Sequence, residues 1–132
     1  MRLSPPSMTA LALVLLAASA APAFALEECR LLRHPDNQGN TVVFVYAGDL
    51  WTVSSEGGVA ARLTSHEGFE QFPKFSPDGQ TVAFTAEYDG NVDAFTVPVS
   101  GGEPRRLTWH PGADRVAEWY PDGKRILLRS TR

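Results

Sequence analysis

Residues 57–64, GGVAARLT, recur as residues 101–108, GGEPRRLT, at a spacing of 44 positions. Residues 71–79, QFPKFSPDG, recur at the same spacing as residues 115–123, RVAEWYPDG. Separate motifs that share one offset indicate a structural repeat, in which each copy folds into the same unit. The repeat therefore indicates the fold class before any single strand or helix is assigned.

A third, less complete copy precedes these two. Residues 41–44, TVVF, match residues 81–84, TVAF, at a spacing of 40. Residues 35–39, PDNQG, are assigned as the earlier copy of the turn formed by Pro-Asp-Gly at 77–79. The smaller spacing is explained by an insertion at Tyr88 to Asn91, which lengthens one hairpin turn.

The segments between the turns are short and rich in β-branched and aromatic residues, and no helical periodicity follows residue 25. A period of about 40 to 45 residues with four strands has the size of one β-propeller blade, whose sheet packs face to face with its neighbours. A two-sheet sandwich is the alternative, but it requires no fixed sequence period. We therefore predict an all-β chain of β-propeller blades, each with four antiparallel strands. For the second copy the predicted strands are Gln71–Phe75, Thr81–Tyr88, Val92–Val99 and Arg105–Thr108.

The predicted blade limits follow from the repeat. Blade 1 covers about residues 31–70, blade 2 about residues 71–114, and the start of blade 3 about residues 115–132. β-Propellers close with about four to eight blades, so residues 26–132 would supply roughly two and a half blades of an incomplete ring. An open stack would leave apolar blade faces in water. We therefore expect the sequence to be part of a longer protein whose remaining blades complete the ring.

Residues 1–25 have the features of a secretory signal peptide. Arg2 supplies a positive charge, and Met8 to Ala18 form an apolar run that is too short to span a membrane. Ala23-Phe24-Ala25 offers small residues at the two positions that a signal peptidase reads, so cleavage is predicted after Ala25. This predicts a periplasmic protein with no membrane span after cleavage.

Two alternatives for this segment fit its residues less well. A buried N-terminal helix would be broken by proline at positions 5, 6 and 22. A lipoprotein anchor would need small residues before Cys29, where Glu27 and Glu28 stand instead. Cys29 is the only cysteine of the sequence, so it has no disulfide partner in the chain, and we expect a partly buried free thiol.

Charge and composition argue against a nucleic-acid partner. Without residues 1–25 the formal charge moves from −3 to −4, because Arg2 is the one charged residue removed. The basic side chains are scattered along predicted strands, whereas a phosphate-binding surface would need them on one face. They include Arg105, Arg106, Lys124, Arg125, Arg129 and Arg132.

The histidines do not indicate a catalytic triad. His66 and His110 lie 44 positions apart, so they are repeat equivalents after the fourth strand and are expected to hold the connections between blades. His34 ends the first predicted strand beside Pro35, where a solvated or loop-capping role is expected. The sequence contains no Gly-x-Ser-x-Gly elbow. We therefore assign no catalytic residue.

Residues 89–93, DGNVD, have the alternating oxygen ligands with which a calcium loop begins. However, Ala94 stands where such a loop needs glycine, and Ser100 stands where it needs a bidentate glutamate. A polar hairpin turn is therefore predicted, and no metal-binding residue is assigned.

The aromatic residues recur in register with the repeat. Trp51 corresponds to Phe95 and Phe75 to Trp119, each at a spacing of 44, so blade cores are expected here rather than a ligand-stacking platform. Residues 42–46, VVFVY, are apolar without interruption, which is typical of a strand buried on both faces. No cofactor and no cofactor-binding residue is predicted.

The order of these motifs resembles a known repeat. Arg-Leu-Thr, then a strand, then Ser-Pro-Asp-Gly and Val-Ala-Phe-Thr is similar to the WD-like repeat of TolB, of tricorn proteases and of some propeller-bearing peptidases. Residues 41–53, TVVFVYAGDLWTV, with Gly-Gly at 57–58 and Arg-Leu-Thr at 62–64, resemble the first blade of bacterial tricorn-type serine proteases. The resemblance covers residues 31–132. TolB-like proteins place a separate domain ahead of the propeller, whereas here the first blade begins within six residues of the predicted cleavage site.

The tricorn-type resemblance implies a large, homo-oligomeric peptidase whose N-terminal propellers serve as a scaffold and as a gate for peptides. Its partners would be the remaining blades, a PDZ-like domain and a C-terminal serine peptidase part that carries the catalytic residues. None of those residues can be transferred to this sequence. The alternative is a TolB-like propeller without enzyme activity that binds proteins in the cell envelope. A propeller fused to an amidohydrolase or prolyl-peptidase domain is a third possibility.

Overall fold

The computed structural model describes residues 31–132, and this range contains ten β-strands and no helix. Within it, nothing forms a helix of the length and apolar character needed to cross a membrane. The predicted signal peptide of residues 1–25 and the predicted free thiol of Cys29 lie outside the described residues. The prediction of an all-β chain is confirmed.

The strands form three antiparallel sheets that follow the order of the chain. The first sheet consists of β1 (Arg33–Gln38), β2 (Thr41–Tyr46), β3 (Asp49–Ser54) and β4 (Ala61–Arg62). The second consists of β5 (Phe69–Phe75), β6 (Thr81–Glu87), β7 (Val92–Pro98) and β8 (Arg105–Arg106). The third contains β9 (Asp114–Trp119) and β10 (Ile126–Ser130). Blades of four antiparallel strands in an incomplete ring are therefore confirmed.

The sequence repeat corresponds to equivalent cross-strand pairs in the two complete sheets. Phe44 pairs with Trp51 in the first sheet, and Phe84 pairs with Phe95 in the second. The β6–β7 hairpin is longer than the β2–β3 hairpin, and its extra residues are those of the predicted insertion at 88–91. The change of spacing from 40 to 44 is thus located in one hairpin.

The assignment of residues 35–39 as a copy of the Pro-Asp-Gly turn is wrong. Pro35 and Asp36 lie inside β1, and residues 39–40 form the turn that follows it. Proline is tolerated there because the register of β1 against β2 shifts between Arg33 and Asp36. At such a bulge, proline removes no ladder hydrogen bond.

The first strands of the three sheets, β1, β5 and β9, lie side by side, and we call them the inner strands. Of these, β1 and β5 carry the same bulge. His34 and Phe72 have φ angles of 50° and 52°, in the left-handed region, and each precedes a proline, Pro35 or Pro73. The two rings lie 4.3 Å apart between centroids. His34 therefore packs against the second sheet, and the predicted solvated or loop-capping role is wrong because the bulge turns its side chain towards Phe72.

The main core lies between the first and second sheets. Val43, Val45 and Leu50 of the first sheet are buried together with Phe84 and Phe95 of the second. Each such side chain contributes about 1.5 to 3 kcal/mol when it is fully removed from water. Packing of one sheet on the other is therefore the principal source of stability in this part of the chain.

The predicted aromatic core is only partly correct. Phe75 and Phe95 are buried in the core, whereas Trp51 is half-buried and lies on the face of the first sheet opposite to Leu50. Side chains alternate between the two faces of a strand, so Trp51 shares the Phe44 face and points away from the second sheet. The prediction that residues 42–46 are buried on both faces is confirmed only for residues 43–45, because Val42 is half-buried and Tyr46 is exposed.

A smaller core lies between the second and third sheets. It consists of Ala83, Ala94 and Val116, and Trp119 packs against it. The Val116 N–H also donates to Thr85 Oγ1 at 2.9 Å, which adds a direct hydrogen bond between these sheets. Small side chains on β6 and β7 let the third sheet approach closely.

Candidate functional site

In the first blade the Arg-Leu-Thr motif, residues 62–64, begins at the end of β4 and bonds to the start of β3. Nη2 of Arg62 lies 2.7 Å from Oδ2 of Asp49, and its Nε donates to the carbonyl of Thr64 at 2.9 Å. Thr64 Oγ1 accepts a hydrogen bond from the Leu50 N–H at 2.9 Å. The motif thus ties the end of the blade to the beginning of β3.

The same contacts recur in the second blade. Arg106 pairs with Asp93 at 2.5 Å and donates from Nε to the Thr108 carbonyl at 2.7 Å. Thr108 Oγ1 accepts from the Ala94 N–H at 3.0 Å and donates to Asp93 at 2.8 Å. Strand β8 ends at Arg106 rather than at the predicted Thr108, because the Thr108 side chain bonds to the start of β7. Sequence reasoning missed the pairing of these aspartates with the motif, although Asp49 and Asp93 share the spacing of 44.

The two repeat histidines shape the connections between blades, as predicted. Nδ1 of His66 accepts the Gly68 N–H at 3.1 Å, and Nδ1 of His110 accepts the Gly112 N–H at 2.9 Å. A catalytic triad would need a carboxylate at that nitrogen to orient the ring. The His66 ring also stacks on Tyr88, with centroids 3.7 Å apart.

The carboxylates of residues 89–93 are directed at other protein groups. Asp93 is bonded to Arg106, and Asp89 lies 3.5 Å from another nitrogen of the same guanidinium. Asn91 Nδ2 donates to Asp93 at 3.0 Å and to the His110 carbonyl at 2.8 Å. Residues 31–132 contain no group of three or more histidine, cysteine or acidic side chains arranged to hold a metal ion. The segment forms a polar hairpin that is bonded to the next connection.

Charged side chains join the three inner strands. Asp36, Lys74 and Glu118 occupy equivalent positions on β1, β5 and β9. Nζ of Lys74 lies 3.6 Å from the Asp36 carboxylate and 3.5 Å from that of Glu118. Asp36 also accepts the Phe75 N–H at 2.8 Å, and Trp119 Nε1 donates to the Lys74 carbonyl at 2.9 Å. Alternating charge thus links three successive blades.

A second row of equivalent residues lines the inner strands. Arg33, Gln71 and Arg115 take the same position on β1, β5 and β9. Arg33 and Gln71 line a hollow of about 410 Å³, and Gln71 and Arg115 line a neighbouring hollow of about 170 Å³. We call Arg33, Gln71 and Arg115 the inner polar row; it offers positive charge and amide hydrogen bonds to solvent.

Two buried carboxyls lie at the start of inner strands: Glu70 is the second residue of β5, and Asp114 is the first residue of β9. Glu70 accepts hydrogen bonds from the Leu50 N–H at 2.9 Å and from the hydroxyls of Thr64 and Tyr88. Burial, with a smaller contribution from the charge of Asp49, raises the pKa of Glu70 above its ordinary value, although these three hydrogen bonds act to lower it. This carboxyl therefore favours its neutral form more than an exposed glutamate does.

Asp114 has the opposite electrostatic environment. Its Oδ2 lies 2.6 Å from Nη2 of Arg132, and Oδ1 has no hydrogen-bond partner among the described residues. The hydrogen bond from the Arg132 guanidinium lowers the pKa of Asp114. Arg132 follows Asp114 by 18 positions, as Tyr88 follows Glu70. Sequence reasoning missed both carboxyls, because their spacing of 44 was visible but their burial was not.

The aspartates and histidines of the repeat are bonded to other protein groups within each blade and within the connections. Asp49 and Asp93 are bonded to arginine, and Nδ1 of His66 and of His110 accepts a backbone hydrogen bond. Acyl-transfer chemistry would need a nucleophile, a base and an orienting group in hydrogen-bond contact. Among the described residues, the inner polar row combines two exposed side chains, Arg33 and Gln71, with the half-buried Arg115.

The comparison with known proteins identifies one family. Residues 29–132 match the tricorn protease N-terminal beta propeller domain. A tricorn-like protease N-terminal subunit of Sulfurisphaera tokodaii is 42% identical over 52 residues, which cover 39% of this chain and 27% of that protein. Tricorn protease homolog 1 of Streptomyces coelicolor is 37% identical over 71 residues, which cover 54% of this chain and 6% of that protein.

Solved structures show the same architecture. The crystal structure of the tricorn protease matches with a TM-score of 0.63 and 28% identity, over 70% of this chain and 10% of that one. A TolB-type structure from Agrobacterium tumefaciens matches with a TM-score of 0.64 and 26% identity, over 70% of this chain and 35% of that one. The chain thus spans a minor part of the length of these relatives and solved structures. Since the family match extends over residues 29–132, the chain belongs to the tricorn protease N-terminal β-propeller family.

Proposed function

We propose that this chain is the N-terminal propeller part of a periplasmic serine protease of the tricorn type, in which it serves as a scaffold and as a gate for peptides. The family match over residues 29–132 is the observation that carries the proposal. The remaining blades and a C-terminal peptidase part of the same protein are its partners, in a homo-oligomer. Peptide hydrolysis then takes place outside the residues present here.

The inner strands support the role of a gate. A gate needs a wall of defined width, and the contacts of Lys74 with Asp36 and Glu118 hold adjacent inner strands together. It also needs side chains that a passing peptide can touch, and the inner polar row provides these. Arginine and glutamine offer hydrogen-bond donors to the carbonyls and carboxylates of a peptide.

The gate is tested in the protein encoded by the complete gene. Gln71→Trp places a large side chain in the inner polar row and is expected to slow cleavage of long peptides several-fold, with little effect on a short chromogenic substrate. Val59→Trp is the matched control, because Val59 is 97% exposed on the outer side of the first blade. Equal rates for both variants on long peptides would contradict a gate at this wall.

A TolB-like propeller without enzyme activity is the second candidate, which the structural match at 26% identity favours. A fluorophosphonate probe distinguishes the two, because it labels activated serine nucleophiles. Labelling of the full-length gene product together with hydrolysis of peptides is expected for a tricorn-type protease. A full-length product that is neither labelled nor hydrolytic would favour the TolB-like alternative.

Export is tested separately by a reporter fusion. Residues 1–40 fused to alkaline phosphatase are expected to give an active enzyme, because its disulfides form only in an oxidising compartment. The control fusion lacks residues 1–25 and should be inactive. Activity of both fusions, or of neither, would contradict a cleavable export signal in residues 1–25.

A further inference from the structure

Glu70 connects the first and second blades through its side chain. It is the second residue of β5 in the second blade and is 1% exposed. Oε2 accepts hydrogen bonds from the Leu50 N–H and the Thr64 hydroxyl, both in the first blade. Oε1 accepts from the hydroxyl of Tyr88, which belongs to the inserted hairpin of the second blade. Both oxygens are therefore engaged, and the two blades share this carboxyl.

This network can be satisfied in either protonation state. An ionised carboxylate accepts from all three donors, whereas a neutral carboxyl can donate to one of the two hydroxyls, each of which can also accept. The Leu50 N–H can only donate, so Oε2 remains an acceptor in both states. Protonation therefore leaves the contacts in place and removes a buried charge, which favours the closed junction.

The charged and titratable groups around Glu70 come from several elements of the first and second blades. Asp49 on β3 adds negative charge, although Arg62 on β4 pairs with it at 2.7 Å. His66 lies against the other face of the site, stacked on Tyr88. On the side of β1, Arg33 and His34 line the hollow whose wall includes Glu70. Among the influences on the Glu70 pKa, burial is the largest and raises it.

We propose that Glu70 is a proton-controlled contact between the first and second blades: the neutral carboxyl keeps the junction closed, and its ionisation loosens the junction. This regulation lies in the fold of the chain and goes beyond the proposed gate. In the opened junction Glu70 is solvated and titrates as an ordinary glutamate.

The direction of the effect follows from linkage. The pKa of Glu70 is raised above its ordinary value of 4.5 in the closed state. The stabilisation of the closed junction by neutral Glu70 is fully present below pH 4.5 and is lost as pH rises through the raised pKa. Between the two values, opening releases one proton, so the opening equilibrium increases up to about tenfold per pH unit.

Hydrogen exchange of single amides in the full chain tests the proposal. The Leu50 N–H bonds to side chains at this junction, so its exchange, corrected for intrinsic rate, reports opening. The Ala94 N–H is the internal control, since it occupies the equivalent position in the second blade and is held by Thr108. We expect Leu50 protection to fall relative to Ala94 as pH rises, and to be independent of pH in Glu70→Gln. Parallel pH profiles for the two amides in the unsubstituted chain would overturn the proposal.

A second variant keeps the test decisive if Glu70→Gln does not fold. The hydrogen bond from Tyr88 lowers the pKa of Glu70, so Tyr88→Phe should move the midpoint of the Leu50 transition to higher pH. A purely structural role of Tyr88 would reduce Leu50 protection equally at every pH. That result, or a midpoint that stays in place, would also overturn the proposal.

Discussion

Nη2 of Arg106 lies 2.5 Å from Oδ2 of Asp93, and the Asp93 side chain is 1% exposed. The Asp93 carboxylate therefore lies inside the second blade, whereas the Arg106 guanidinium that pairs with it is partly exposed to solvent. Asp93 also accepts the Thr108 hydroxyl, so the Arg-Leu-Thr motif surrounds it with donors. A buried charge without partners is costly. The Arg-Leu-Thr motif offsets this cost in each blade by supplying partners to the aspartate.

Removal of the guanidinium should destabilise the chain. Arg106→Met leaves the buried Asp93 carboxylate without its cation and is expected to lower the free energy of unfolding by about 1 to 3 kcal/mol. Urea denaturation followed by tryptophan fluorescence measures the change. Arg125→Met is the control, because the Arg125–Asp122 pair is exposed and such pairs contribute about 0 to 1 kcal/mol. Equal denaturation midpoints for both variants would contradict this account.

The threonine of the motif is expected to act through its hydroxyl. Thr108→Val keeps the shape but leaves the Ala94 N–H and an Asp93 oxygen without a partner, at a cost of about 1 to 3 kcal/mol. Thr108→Ser retains the hydroxyl and should recover most of the loss. Denaturation midpoints of the two variants decide this, and a serine variant as unstable as the valine variant would show that the methyl group matters instead.

The core between the first two blades should be sensitive to truncation. Phe84 is fully buried, and Phe84→Ala is expected to cost about 3 to 5 kcal/mol. Val59→Ala, at a residue that is 97% exposed, should change stability by less than about 0.5 kcal/mol. Thermal unfolding by circular dichroism measures both. A Phe84→Ala variant as stable as the control would place the main core elsewhere.

The third sheet should have a pH dependence opposite to that of Glu70. Arg132 lowers the pKa of Asp114 below its ordinary value of 3.8. The resulting stabilisation is present above that ordinary value and is lost as pH falls through the lowered pKa. Arg132→Gln should reduce this loss in acid, as measured by denaturation at successive pH values. Arg125→Gln is the control, and an identical acid profile for both variants would contradict a role for Arg132.

The sequence predicted the blades well because their signals are local. Turn residues, β-branched segments and the Arg-Leu-Thr motif recur along the chain, and the hairpin insertion at 88–91 was located from spacing alone. The error at residues 35–39 has a local cause too. A proline beside an acidic residue is typical of a turn, and the bulge that makes Pro35 acceptable inside β1 depends on pairing with β2.

The candidate site was predicted less well. The roles of His66 and His110 followed from their repeat positions, whereas His34 was misjudged because its partner Phe72 lies on another blade. Trp51 was expected in the core, but its face of the sheet depends on which side the second blade packs. The row formed by Asp36, Lys74 and Glu118 became visible only when the register of the inner strands was known.

The sequence by itself determined that this chain is all-β and is divided into blades of about 44 residues, because backbone preferences and side-chain alternation act over a few residues. Only the tertiary structure decided which carboxyls are buried and what faces them. Glu70 and Asp114 share a spacing of 44 and the same kind of side chain, yet their pKa values move in opposite directions. Desolvation and charge pairing depend on distances in space, and those distances arise only when one sheet packs on the next.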